Sequence, residues 1–336
     1  MTSTQTFLSD LSARALAGEV PPAADLGAVL RLPDDALADV LWAAFRVRER
    51  YWGKRVKLCM LRNARSGLCP EDCGYCSQSA VSTTPIQKYR LQSEEQLLEG
   101  ARTAAARGAR RYCMVASGRG PSARDIEHLT ATTRRIKAEH PDLEICVSLG
   151  LTSYEQALEL KASGVGYVNH NLNTSERFYP AICSTHTYAD RVDTVRNVVR
   201  AGLNTCCGAI IGMGENDDDI VDLALALREL EVDSLPVNFL IPFDGTPLAG
   251  RRDLSPPHCL KALCLFRFAN PVAEVRVAGG RELNLGWFQA LSLYPANSIF
   301  IDGYLTSPGQ RASAAQRMVE AQGFEVEHDS AIRTED

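Results

Sequence analysis

From residue 55 onward, short apolar runs alternate with longer stretches in which apolar side chains recur every three or four positions. The runs VKLCML (56–61), RRYCMVA (110–116), LEICVSL (143–149), GYVNHN (166–171), NTCCGAIIG (204–212), LPVNFL (235–240), EVRVAG (274–279) and NSIFID (297–302) have the length and composition of strands. Helices with their own start and stop signals lie between them. Ser93 with Gln96 forms a capping box ahead of Leu97, Leu98, Ala101 and Ala105, and Gly108 ends the segment. Ser153 with Gln156 repeats the device, with Gly164 as the stop. Val192, Val195, Val198 and Val199 make a helical stripe that ends near Gly202, and residues 219–231 and 257–269 supply two more helices.

Strands that alternate with helices predict parallel βαβ units. Eight such units closed on themselves make a (β/α)8 barrel of TIM type, and the chain has a suitable length. An open, doubly wound sheet has the same periodicity. Residues 34–50 read as a helix before the barrel. The expected organisation is an N-terminal helical extension over 1–50, a barrel over 51–305, and a short polar C-terminal tail over 306–336 with one amphipathic helix.

Composition narrows the function. Of 336 residues, 45% are hydrophobic and 23% charged, the balance of a globular chain with a sizeable core. A net charge of -5 argues against nucleic acid as the main partner. No apolar run approaches the roughly 20 residues of a membrane span. The N-terminus is too polar for a secretory signal, so a cytoplasmic location is expected. In that reducing compartment the eleven cysteines should be metal ligands or small buried hydrophobes rather than disulfides.

Three of them occur in CPEDCGYC (69–76), directly after the first strand, with the spacing C-x3-C-x2-C. Loops that follow strands lie on the catalytic face of a parallel barrel. Cys69, Cys73 and Cys76 could be part of a zinc site with a distant fourth ligand, although no other cysteine forms a C-x2-C pair. Thiolates also hold 4Fe–4S clusters, and these three could bind three irons and leave the fourth open to a small molecule. With Tyr75 just before the last cysteine, the loop resembles that of the radical S-adenosylmethionine enzymes. The resemblance implies that the open iron binds the amino and carboxylate groups of S-adenosylmethionine, whose reductive cleavage releases a 5′-deoxyadenosyl radical. GAIIGMGE (208–215) is similar to the G-x-I-x-G-x-x-E segment that supports the adenine in this family, which places Ile210 beside the cofactor.

Cys113, Cys146 and Cys206 fall on the second, third and fifth strands. Inward-facing residues of a closed barrel converge, so these thiols could meet. Cysteine is also a common buried residue with no further role. The segments GLCPEDCGYCSQS, YCMVASGRGP, ICVSLG, YVNHNLNTS, CCGAIIGMGE, PVNFL, DGTPL, VRVAGGRELNL and ANSIF, in order across about residues 55–305, resemble the biotin synthase family. The resemblance implies a second cluster, 2Fe–2S, deep in the barrel on Cys113, Cys146, Cys206 and Arg276. Cys206 and Cys207 are adjacent and must point to opposite faces. The motif selects Cys206, and Gly208 and Ile210 should face inward with it. Arg276 is by its own chemistry a poor ligand and would ordinarily pair with a carboxylate. Cys59, Cys183, Cys207, Cys259 and Cys264 read as packing residues.

The same resemblance places Asn169, Asn171 and Asn238 on the ureido ring of dethiobiotin. Amides suit a neutral ring with two N–H groups and one carbonyl, and residues 169 and 171 share a strand face. Asparagine at strand ends also serves turns. Asn173 stands where some members carry a carboxylate, and His186 where some carry an arginine; with Asn171, both are expected near the cofactor. His170 is expected to pack in the core. The implied reaction inserts sulfur between two unactivated carbons of dethiobiotin, with two S-adenosylmethionine molecules consumed. The 2Fe–2S cluster would give the sulfur, flavodoxin or ferredoxin would be the reductant, and the working form would be a homodimer.

Overall fold

Closure of the sheet is the feature that periodicity alone left open. The computed structural model describes residues 2–327. The barrel strands are β1 (Arg55–Arg65), β2 (Arg111–Ala116), β3 (Glu144–Ser148), β4 (Tyr167–Asn169), β5 (Asn204–Cys206), β6 (Ala209–Ile211), β7 (Ser234–Phe239), β8 (Glu274–Val277) and β9 (Ser298–Ile301). Neighbouring strands pair in parallel, and β9 pairs with β1 from Lys57↔Ser298 to Met60↔Ile301. The sheet is therefore a closed barrel of eight staves, with β5 and β6 forming one stave.

Helices α1 (Ser3–Leu16), α2 (Ala23–Arg31) and α3 (Leu37–Trp52) precede β1. The barrel helices α4 (Glu94–Ala106), α5 (Ala123–Glu139), α6 (Tyr154–Ala162), α7 (Tyr188–Arg200), α8 (Asp217–Glu229), α9 (Pro256–Ala269) and α10 (Arg281–Leu285) each follow a stave. The capping boxes of α4 and α6 form as expected, and Ser122/Asp125, Thr187/Asp190 and Asn216/Asp219 cap α5, α7 and α8 in the same way. α1 and α2 pack on the barrel helices beside α3, which lies against α9. At the other end of the chain, α11 (Ala312–Ala321) leads into β10 (Glu325–Val326), which pairs with the start of β1 through Arg55↔Glu325.

Strand parity separates two interiors. Leu58, Tyr112, Met114, Ile145, Val147, Val168 and Cys207 face outward into the apolar layer under the helices. Cys59, Cys113, Cys146 and Cys206 face inward, with Ala278, Phe300, Leu61, Val115 and Tyr167.

One expectation is corrected. Residues 204–212 do not form one continuous strand; the ladder breaks at Cys207 and Gly208. The register is unchanged across the break, from Cys206↔Ser234 to Ala209↔Val237. Pro236 lies opposite the gap and has no N–H to donate. A Cβ on Gly208 would sit 1.9 Å from the Pro236 carbonyl oxygen, so the backbones approach too closely for any other residue. The Gly208 groups bond elsewhere: its N–H donates to Asn171 Oδ1 at 3.1 Å, and its carbonyl accepts from the Asn173 N–H at 3.0 Å. The interruption thus fixes two of the expected site residues.

Candidate active site

A cavity of about 370 Å³ opens at the C-terminal ends of the strands and reaches down to the inward thiols. Its upper wall is the loop after β1. Glu71 and Asp72 of that loop are tied to the segment 182–187. Asp72 accepts from the backbone N–H groups of Ser184 at 2.9 Å and Thr185 at 3.2 Å. Glu71 Oε2 accepts from the Thr185 hydroxyl at 2.7 Å and lies 2.6 Å from His186 Nδ1. With both carboxylates engaged there, the loop offers its thiols as the free donors. Cys69 and Cys76 line the cavity, while Cys73 is buried below with Tyr179, Ile182, Met213 and Leu240. Burial pushes the Cys76 thiol up, so it should remain protonated until a metal displaces the proton. Three thiols on one short loop, two of them open to the cavity, fit an iron–sulfur cluster with one exposed iron.

Tyr75 also lines the cavity, and its hydroxyl accepts from Asn173 Nδ2 at 2.7 Å. Asn173 holds a left-handed backbone, φ 73°, which asparagine tolerates better than most residues. Ile210 lines the same wall, with the inward parity expected of it.

At the floor, Cys146 packs with Cys113 and Cys206 in one buried cluster, and hydrogen bonding among these thiols together with burial raises its pKa. Cys206 moves down because Cys146 donates to it and Arg276 and Arg111 lie close. Arg276 is fully buried, and its Nη1 lies 3.6 Å from Cys206 Sγ. Its Nε donates to Ser298 Oγ at 3.0 Å, and its Nη2 donates to Ser234 Oγ at 3.0 Å and to Glu274. Arg276 therefore pairs with a carboxylate, as its own chemistry suggests, and presents one nitrogen to the Cys206 thiol. Three soft donors and one nitrogen around a buried space fit a small cluster.

Sequence reasoning did not anticipate the charged layer beneath. Arg111 donates to Glu274 through both terminal nitrogens, at 3.0 and 2.9 Å, and to Glu144 at 2.8 Å. Lys57 Nζ lies 2.9 Å from Glu144, 3.6 Å from Glu274 and 3.8 Å from Glu327. Charged residues inside apolar strand runs were the available signal. Cys59, read as a packing residue, also belongs to the inward thiol group, with its Sγ 3.5 Å from Ser298 Oγ. Its odd-number parity with Leu61 could have placed it there.

The three expected substrate asparagines line the cavity between the loop and the floor. Asn169 Nδ2 donates to Asn171 Oδ1 at 3.1 Å and lies 3.2 Å from Cys206 Sγ. Asn238 accepts from the Gly279 N–H at 2.9 Å and donates to the Ala209 carbonyl at 3.0 Å. These bonds fix the amide orientations. His170 is buried as expected, but it lines the cavity, and its Nε2 has no hydrogen-bond partner. His186 does not line the cavity; it stands one layer behind. Arg191 Nη2 donates to His186 Nε2 at 2.8 Å, so Nδ1 carries the proton toward Glu71. Arg191, which was not anticipated, lines the cavity and donates to the Asn171 carbonyl at 2.7 Å.

Comparison with known proteins gives the arrangement a family. Residues 65–227 match the radical SAM superfamily, and residues 236–325 match the biotin and thiamin synthesis associated domain. The biotin synthase of Geobacillus thermodenitrificans is 53% identical over 304 residues, 90% of this chain and 91% of that protein. The chain belongs to the biotin synthase family. Two other members are the biotin synthase of Bacillus subtilis, 49% identical over 95% of both chains, and biotin synthase 2 of Frankia casuarinae, 52% identical over 95% of this chain and 89% of that protein. As a biotin synthase family member the chain is a radical SAM enzyme, a class that uses a 4Fe–4S cluster and S-adenosylmethionine. Among solved structures, methylornithine synthase (PylB) superposes with a TM-score of 0.83 at 21% identity, covering 94% of this chain and 97% of that one. At that identity the likeness shows the shared fold. No helix among the described residues is long and apolar enough to cross a membrane.

Proposed function

We propose that this chain inserts sulfur between two unactivated carbons of dethiobiotin to close the thiophane ring of biotin, consuming two S-adenosylmethionine molecules. The observation that carries the proposal is a single cavity with two thiol sets. The three-cysteine loop forms its upper wall, and Cys113, Cys146, Cys206 and Arg276 lie at its floor. Cys69, Cys73 and Cys76 would hold the 4Fe–4S cluster, and the floor set would hold the 2Fe–2S cluster. When bound, these groups supply the low-potential electron for cofactor cleavage and the sulfur atom, respectively.

The protein's own residues supply position and exclusion. Asn169, Asn171 and Asn238 can meet both the N–H groups and the carbonyl of a neutral ureido ring. Leu61, Val115, Phe300 and Tyr304 give the cavity apolar walls that keep water from a reactive carbon centre. Tyr75, Asn173 and Ile210 form the wall beside the loop, where the cofactor would lie. His186 acts as a positioning residue, linking Glu71 of the loop through Arg191 to Asn171. Arg276, held on two sides by Ser298, Ser234 and Glu274, keeps Nη1 directed at Cys206. The proposal includes flavodoxin or ferredoxin as reductant, a homodimer as working form, and a cytoplasmic setting in which the ligand thiols stay reduced.

Replacing Cys113 by alanine separates the two thiol sets. The Cys113→Ala protein should still produce 5′-deoxyadenosine from S-adenosylmethionine and should make little biotin. Full biotin yield from that variant would overturn the assignment of the floor.

A further inference from the structure

We propose that Cys73 and Cys183 form a disulfide when the chain holds no metal, which makes Cys183 a redox cap on one thiol of the iron-binding loop. The two sulfurs lie 3.8 Å apart. The segments that carry them are tied together on both sides of the pair. The Gly74 N–H donates to the Ile182 carbonyl at 2.8 Å, and the Asp72 carboxylate accepts from the Ser184 N–H at 2.9 Å. One backbone bond and one side-chain bond thus flank the pair and hold residue 73 beside residue 183.

The surroundings favour this link over others. Both side chains are buried beside Tyr179, Ile182, Met213 and Leu240, so neither is placed to pair with a cysteine of a second chain. Cys69 and Cys76 face the cavity, so the buried member of the loop set is the one with a partner thiol at hand. Cys183 lies outside the cavity lining and has no part in the proposed reaction.

Hydrogen peroxide can serve as the oxidant. One thiolate attacks the peroxide, the O–O bond breaks, and a sulfenic acid and hydroxide form; the hydroxide takes up a proton to give water. The second thiol attacks the sulfenic sulfur, forms the S–S bond and releases a second water. Two sulfurs are each oxidised by one electron, and the two peroxide oxygens are reduced. The linked chain cannot offer Cys73 to iron until a dithiol reduces it. Only that last consequence rests on the function proposed above; the link itself does not.

The test uses the full chain, stripped of iron, reduced with dithiothreitol, desalted without oxygen and exposed to an equimolar amount of hydrogen peroxide. Alkylation, digestion and mass spectrometry then read the pairing. The expected result is a linked peptide containing Cys73 and Cys183, with free thiols falling by two from eleven. Cys69 and Cys76 should be recovered alkylated, and iron uptake by the loop should be lost until dithiothreitol is returned. In Cys183→Ser, with its fold checked by circular dichroism, the linked peptide should vanish. Recovery of Cys183 in alkylated form, or Cys73 linked to Cys69 or Cys76, would overturn the inference. Because pairing is read without turnover, a chain that forms the link yet makes no biotin would count against the proposed function alone.

Discussion

Glu274 is the residue on which the charged floor depends, and Glu274→Gln perturbs it with little change of shape. The buried carboxylate receives two nitrogens of Arg111 at 3.0 and 2.9 Å, one nitrogen of Arg276, and Lys57 at 3.6 Å. Around it, Lys57, Arg111 and Arg276 face Glu144, Glu274 and Glu327. Glutamine removes one negative charge and turns one acceptor into a donor that faces guanidinium donors. Two charge-assisted hydrogen bonds at about 1.5–3 kcal/mol each bracket the loss at roughly 3–6 kcal/mol. Deleting one partner of a buried pair costs about 3–5 kcal/mol, which agrees. The expected destabilisation is therefore about 4 kcal/mol, a large share of the roughly 5–15 kcal/mol available to a typical domain. Urea denaturation of the reduced, iron-free protein, followed by circular dichroism, would show it as a lower midpoint at unchanged slope. The double variant Glu274→Gln/Arg276→Gln should lose less than the sum of the single variants, because each removes the other's uncompensated charge. A cost below about 1 kcal/mol, the value of an exposed pair, or strict additivity would refute the reasoning.

Three further outcomes follow from the site. Cys59→Ser should keep its floor iron, because Arg276 completes the ligand set, whereas Cys113→Ala should lose it; iron analysis and visible absorption distinguish the two. Gly208→Ala forces a Cβ against the Pro236 carbonyl and should cost about 1–3 kcal/mol in the same urea assay, with impaired turnover because Asn171 and Asn173 are bonded to Gly208. Tyr75→Phe removes the 2.7 Å bond to Asn173, worth about 1 kcal/mol, and should raise the KM for S-adenosylmethionine about fivefold with kcat little changed.

Much of the architecture was legible because a parallel strand buried on both faces reads as an apolar run, and because capping boxes mark helix starts. Ser93/Gln96 and Ser153/Gln156 act as written. Motif resemblance assigned the loop cysteines and the floor set, and the structure places all of them except the buried Cys73 in the lining of one cavity. What escaped was set by contacts between distant segments. Cys59 and Cys183 looked like ordinary buried thiols, since neither lies in a motif; one joins the interior through barrel closure, and the other meets Cys73 across 110 positions. The break in the fifth stave arises from Pro236 on a neighbouring strand, which the apolar run 204–212 does not report. His186 was assigned to the cofactor by analogy with an arginine, whereas its shorter side chain reaches Glu71 and Arg191 behind the wall.

The most direct measurement is an anaerobic turnover. The reconstituted protein, a strong reductant, S-adenosylmethionine and dethiobiotin are combined, and biotin and 5′-deoxyadenosine are quantified by mass spectrometry. The proposed function requires both products, with two deoxyadenosine molecules formed per biotin. Deoxyadenosine without biotin, from protein whose floor cluster is shown to be intact, would contradict it and point to a different substrate in the same cavity.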